Sequence, residues 1–558
     1  MWFIPLLSLL PPIVTASPSP PGWQFVQNGT TGIIPIEAIV VSPTLAVLFD
    51  RVQDDPLQIN GHSAWSALWN FETNTATPLD VVSDTFCSSG GFLSNGTMVN
   101  VAGNVAEFPY TTDGRMMVRL FEPCTDASGV GCTITEDAQH LRLAANRWYT
   151  STLRIFDGSL MIVGGTHELT NFYNTDPENT VEFFPSKDNG IPRPLPFLER
   201  TIPANLFPRV FALPDGKILM ISNTQSTIYD VETNTETRLP DIPNGVRVSN
   251  PFDGTATLLP MFPPHFTPEV LVCGGSNISD TTPFEDVSAQ DPASDQCSRI
   301  TLTSEGIERG WEVERMLEGR IMSEMILMPD GGVLIISGGQ TGYPSINTAQ
   351  DRFPDGEQSN ADHPAFTPVL YTPNAPAGHR FSNQGMPTTD IARLYHSSVT
   401  LTPNGNIFLA GSNPNQGIVN TTRFHSEFRV EYLNPSYMGV SRPTLRDVPK
   451  IIPFHHTFTI TVDIPTGIRT TDMKVALMDL GFSSHAFHSS SRLVFMDAVL
   501  APNHKTITIT SPPNNRVYPP GPAYIFLTVG GVTSVGSHVL IGDGKAPPVK
   551  DQGIPLPP

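Results

Sequence analysis

Phenols, imidazoles and one odd thiol are the groups in this chain able to do metal or covalent chemistry. Tyr395-His396, in ARLYHSS, sets a phenol beside an imidazole. Neighbouring side chains of a regular strand face opposite sides, so both reach one metal only where a strand ends or bends. The competing reading is a core tyrosine beside a partly exposed histidine. His485-Ala-Phe-His488, in GFSSHAFHSSSR, would share one face of a helix, but its surroundings read as a loop between strands, leaving one histidine idle. His455-His456 opens an alternating strand and reads as solvated. With fourteen histidines and eleven tyrosines, spacing alone selects no ligand set.

The five cysteines are Cys87, Cys124, Cys132, Cys273 and Cys297. Proximity pairs Cys124 with Cys132 and Cys273 with Cys297, although four cysteines permit three pairings. Cys87 is left over, either as a buried free thiol or as a residue with a covalent task other than a disulfide.

The elements that must position these groups repeat along the chain. A turn, often Asp-Gly or Asn-Gly, precedes an apolar strand ending in small residues at 94–104, 156–165, 214–223, 329–339 and 403–413, and less clearly at 42–51 and 268–276. The spacing is near the kelch blade period of about 50 residues, so seven copies predict a seven-bladed β-propeller. The glycine-rich ends are expected to let inner strands crowd near the axis. A large sandwich with coincidental turns is the alternative. Beyond Tyr437, alternating runs at 456–464, 473–481, 492–500, 505–511 and 523–531 predict an immunoglobulin-like β-sandwich. The expected domains are a signal peptide at 1–16, the propeller at 17–440, the sandwich at 441–545 and a Pro-rich tail at 546–558.

Composition agrees with an all-β protein. The 558 residues include 55 prolines and 44 glycines, and only 15% are charged. The net charge of −21 repels phosphate backbones and anionic lipid, which argues against nucleic-acid or membrane partners. Residues 2–14 are apolar and precede small residues, as in a secretory signal, and sequons follow at Asn28, Asn95, Asn277 and Asn420. An extracellular protein acting on a small neutral substrate is expected.

DTFCSSGGFLSNGT (84–97), NRWYTSTLRIFDGSLMIVGGTHELTNFYN (146–174), PTTDIARLYHSSVTLTPNGN (387–406) and MDLGFSSHAFHSSSRLVF (478–495) closely resemble the fungal glyoxal oxidases and, more distantly, galactose oxidase. The resemblance implies one copper ion held by Tyr149, Tyr395, His396 and His485. It implies a thioether between Cys87 and Tyr149 that carries a tyrosyl radical, with Tyr395 as general base and His488 outside the ligand set. It also implies oxidation of small aldehydes to acids, with dioxygen reduced to hydrogen peroxide that extracellular peroxidases could use. Sugar-oxidising relatives carry a tryptophan stacked on the thioether, eighteen residues beyond the cross-linked tyrosine. His167 occupies that position here and is expected beside the radical. A copper radical alcohol oxidase and a non-catalytic kelch binding protein are the competing readings.

Overall fold

The computed structural model describes residues 22–122, 124, 126–168, 172–348 and 357–548. The expected signal peptide and most of the Pro-rich tail lie outside these residues. Seven four-stranded antiparallel blades surround an axis. Their innermost strands are Glu37–Val40, Ser89–Phe92, Ser151–Arg154, Arg209–Ala212, Gly254–Leu258, Glu324–Leu327 and Ser397–Leu401. These strands are buried along their whole length, so they lack the alternation of a half-exposed sheet. The ring closes through Gln24–Thr30, which pairs with Arg429–Asn434 as the outer strand of blade 7. Closure joins the first and last blades of the ring, while each blade keeps a short outer edge strand.

Each of the seven sequence recurrences falls in a different blade. The five clear turns join the innermost strand to the second, with Gly96, Gly158, Gly216, Gly331 and Gly405 at φ between 85° and 96°. Only glycine takes that backbone geometry without strain. The glycine-ended strands are second from the axis, which corrects the expectation that they crowd around it. Their terminal glycines instead admit the backbone that leads into a blade. A Cβ on Gly275 would lie 2.0 Å from the Arg247 carbonyl oxygen, and one on Gly165 would lie 2.9 Å from that of Trp148.

Both cysteine pairs expected from proximity form, and Cys87 is free and buried. Cys273 and Cys297 face each other across the second and third strands of blade 5.

The second domain is a β-sandwich whose strands run from Thr444 to Ile541. Arg492–Leu500 serves both layers: its first half pairs with Val475–Asp479 and its second with Ile507–Thr510. Between Lys474–Asp479 and Arg492–Leu500 a hairpin, Phe482–Ser484 and Phe487–Ser489, leaves the sandwich and enters the propeller. It adds to blade 1 through Ile39/Phe482, Ala38/Ser483 and Glu37/Ser484, and touches the innermost strand of every blade. A buried Arg154–Asp479 pair at 2.5 Å ties the base of the hairpin to blade 3. The sandwich thus delivers its hairpin tip, His485-Ala486, to the axis.

Candidate metal centre

Cys87 and Tyr149 each stand two residues before an innermost strand, and His396 stands one before. All three are left-handed, at φ 55°, 60° and 61°, and His485 joins them at 46°. Such a conformation costs about 1–3 kcal/mol for a non-glycine residue and persists only when its surroundings enforce it. Buried arginines contribute that enforcement. Arg147, two residues before Tyr149, pairs with Glu182 and donates to the Gly164 carbonyl. Arg393, two residues before Tyr395, pairs with Glu431 and donates to the Gly411 carbonyl. The bend at His396 turns two consecutive side chains towards one place, with the Tyr395 and His396 rings stacked 3.7 Å apart.

The phenol oxygens of Tyr149 and Tyr395 lie 2.8 Å apart. His485 Nε2 lies 3.3 Å from Cys87 Sγ, and the His396 and His485 ring centres are 5.4 Å apart. Cys87, Trp148, Tyr149, Leu206 and Phe207 form one small cluster. His396 Nδ1 meets the Asn413 carbonyl at 3.1 Å, so it carries the proton and leaves Nε2 as an acceptor. That Nε2 is buried without a partner. Two imidazole nitrogens and two phenol oxygens make the N,O donor set Cu(II) favours, and the orphaned nitrogen is what a metal would satisfy.

Burial dominates the electrostatics. It holds His485 down at about 3, helped by Arg209, and holds His396 well below the usual histidine value, helped by His485 and Arg51. Both imidazoles are therefore neutral. Burial, reinforced by Cys87, raises both phenols, and burial with Glu37 raises the Cys87 thiol. A thiol so held is a poor thiolate ligand, although its sulfur and the two imidazoles could jointly reach an ion.

Two expected placements change. His167 does not lie over Tyr149: its nitrogens meet Asp176 at 3.2 Å and Glu178 at 2.9 Å. Thr166 bridges to Trp148 and Pro177, which turns the following residue away to the acidic pair. The rings on Tyr149 are Trp148 at 4.5 Å, edge-on, Phe207 at 5.0 Å and His485 at 5.3 Å. Trp148 is fixed by its indole N–H donating to the Phe86 carbonyl. His488 is not idle: it is buried and meets Glu324 Oε2 of blade 6 at 2.8 Å, pinning the hairpin. His488→Ala strands that carboxylate and is expected to cost about 3 kcal/mol, read as a lower urea midpoint. His455 and His456 are exposed, as expected.

A cavity of about 450 Å³ opens onto Tyr149, Tyr395 and His396 and is also lined by Arg51, Phe86 and Trp148. The last three were missed from sequence. The recurring Arg-x-Tyr and Arg-x-Met before innermost strands (Arg147-Trp-Tyr149, Arg320-Ile-Met322, Arg393-Leu-Tyr395) was the available signal for the bend and for Trp148.

A propeller plugged by a hairpin, with a buried N,O donor set under a cavity, is an arrangement that could bring a small molecule to a bound metal. The sequence profile "Glyoxal oxidase N-terminus" matches residues 50–437, and "Galactose oxidase-like, Early set domain" matches 442–541. The chain belongs to the glyoxal oxidase family of copper radical oxidases and is an oxidase. It is 30% identical to "Aldehyde oxidase GLOX" of Vitis pseudoreticulata, over 95% of this chain and 98% of that one. It is 28% identical to "Aldehyde oxidase GLOX1" of Arabidopsis thaliana, over 86% and 75%. A solved fungal alcohol oxidase of the AA5 family, in complex with copper, shares the fold at TM-score 0.69 and 15% identity, covering 94% of this chain and all of that one.

Proposed function

We propose that this protein is a secreted oxidase converting small aldehydes of the glyoxal or methylglyoxal type to carboxylic acids, with dioxygen reduced to hydrogen peroxide. The observation that carries the reading is the orphaned, buried Nε2 of His396 beside two phenols 2.8 Å apart at the floor of a cavity. Tyr149, Tyr395, His396 and His485 would hold copper, which supplies a one-electron couple. Cys87 joins Tyr149 through a thioether, which spreads the unpaired electron left when Tyr149 loses one. Tyr395 accepts the proton of the hydrated aldehyde's hydroxyl, and the Tyr149 radical takes the hydrogen atom from carbon. Trp148, Phe207 and Phe86 wall the radical from water. Dioxygen would take up the two electrons and two protons released from the substrate and leave as hydrogen peroxide, available to extracellular peroxidases.

Secretion is supported by exposure of Asn28, Asn277 and Asn420 as glycan acceptors; Asn95 is half-buried. No described helix is long and apolar enough to cross a membrane. The test is peroxide release after copper loading and one-electron oxidation. Methylglyoxal and glyoxal are expected to outpace benzyl alcohol and galactose; the reverse ranking would assign an alcohol oxidase, and failure to bind copper would leave a binding protein.

A further inference from the structure

Six buried arginines, at positions 119, 147, 154, 209, 320 and 393, each have a carboxylate within ion-pair distance. Arg51 and Arg492 have none among the described residues, and of these two only Arg51 lines the cavity that opens onto Tyr149, Tyr395 and His396. The Arg51 guanidinium donates through Nε to Gln53 at 3.1 Å and through Nη2 to the Asn415 and Gly417 carbonyls. Its Nη1 has no protein acceptor among the described residues. The carboxylate of the adjacent Asp50 is spent on the Ile34 and Arg51 amides and on Gln53. Phe86 connects this cation to the metal centre: its ring centre is 5.8 Å from the Arg51 guanidinium carbon and 5.5 Å from the His396 ring.

Asp50 and Asp55 offset the Arg51 charge from beyond ion-pair distance, and a buried cation with no carboxylate in direct contact is costly unless its free donor position is filled. Its place on the cavity wall points to the substrate. A guanidinium with two hydrogens free offers a planar donor suited to a carbonyl or carboxylate oxygen. We propose that Arg51 binds the oxygen on the carbon next to the reacting aldehyde, and so selects α-oxo aldehydes over plain alkyl aldehydes. This rests on the oxidase reading above. It assigns Arg51 to substrate recognition, outside the electron and proton steps. The α-oxo acid product carries a carboxylate, so Arg51 also holds product.

The test uses full-length, copper-loaded, oxidised protein and two three-carbon substrates, methylglyoxal and propanal, which differ at the α-carbonyl. Wild type is expected to favour methylglyoxal in kcat/KM. Arg51→Met is expected to cut that ratio by about 10- to 100-fold, the range for losing one hydrogen bond to a charged group, and Arg51→Lys to recover part of it. Calorimetric affinity for pyruvate should fall in parallel. Copper content and the mass of the Cys87–Tyr149 peptide, read alongside, are expected to match wild type. An unchanged ratio overturns the proposal, including the case where both substrates slow together because Arg51 merely biases the charge of Tyr395. If Arg51→Met fails to fold, a wild-type ratio below about two, or an Arg51→Lys ratio equal to wild type, overturns it. If loaded wild type oxidises neither substrate, the aldehyde reading above fails and Arg51 recognition falls with it. Propanal turnover with an unmoved ratio removes Arg51 recognition alone.

Discussion

Replacing Cys87 by alanine is expected to give a folded, copper-binding protein whose turnover falls by about 100-fold or more, roughly 3 kcal/mol on the barrier. Cys87 is fully buried in the small cluster around Tyr149, so losing its sulfur removes little volume and should cost about 1 kcal/mol of stability. What would disappear is the proposed thioether, and with it the sulfur lone pair that would make the Tyr149 ring easier to oxidise and its radical longer-lived. In wild type, supplying copper and oxygen should leave the joined peptide two hydrogens lighter than its parts. Three measurements decide the matter together: copper content, mass of the joined peptide, and radical lifetime by optical absorbance. Cys87 as a thiolate ligand predicts a different pattern, in which Cys87→Ala loses copper and wild type shows no mass change. Burial lifts the thiol away from ionisation, which favours the cross-link. Recovery of unmodified Cys87 and Tyr149 peptides from fully active protein would refute it.

The seven-fold architecture was legible because each blade repeats a local device, an Asn/Asp-Gly turn whose glycine alone takes φ near 90°. The strand following that turn was legible as apolar but not as second from the axis, since distance from an axis is set by ring closure. The closing strand Gln24–Thr30 carries no kelch signal, and its partner lies about 400 residues away in sequence. At the site, Tyr395-His396 looked implausible as a pair because a regular strand would separate the two rings. The left-handed turn at His396 removes that objection, but its cause, Arg393 braced on Glu431, is a tertiary contact. His167 was misplaced because counting eighteen residues along the chain ignored the bridge at Thr166, which turns the chain outward. His488 looked idle because Glu324 is 164 residues away. Arg51 could not be noticed at all from sequence, since what marks it is the lack, among the described residues, of a carboxylate within ion-pair distance.

His485→Ala is expected to lower copper affinity by more than about 100-fold, because removing even an outer partner of a metal ligand costs about 10- to 100-fold. The hairpin should stay in place, held by its pairing with blade 1 and by His488 on Glu324, so stability changes less than in His488→Ala. The two variants therefore separate in opposite senses: His485→Ala loses metal and keeps its urea midpoint, while His488→Ala loses midpoint and keeps more metal. Equal copper loss in both would mean the wrong histidine was chosen. The pH dependence of binding tests the same assignment without substitution. His485 is held at about 3 and His396 well below its usual value, so neither imidazole competes with protons near neutrality. Both phenols are raised by burial, so each enters the metal-free protein protonated and must release its proton on binding. Copper affinity of the protein before cross-linking should accordingly rise with pH through the neutral range, by about two log units per pH unit if both phenols ionise. No inflection should appear near 6.5, where ordinary histidines titrate. Calorimetry in buffers of different ionisation enthalpy counts the released protons directly. An inflection near 6.5, or no proton release, would show that the copper sits on solvent-exposed histidines and not among His396, His485 and the two tyrosines.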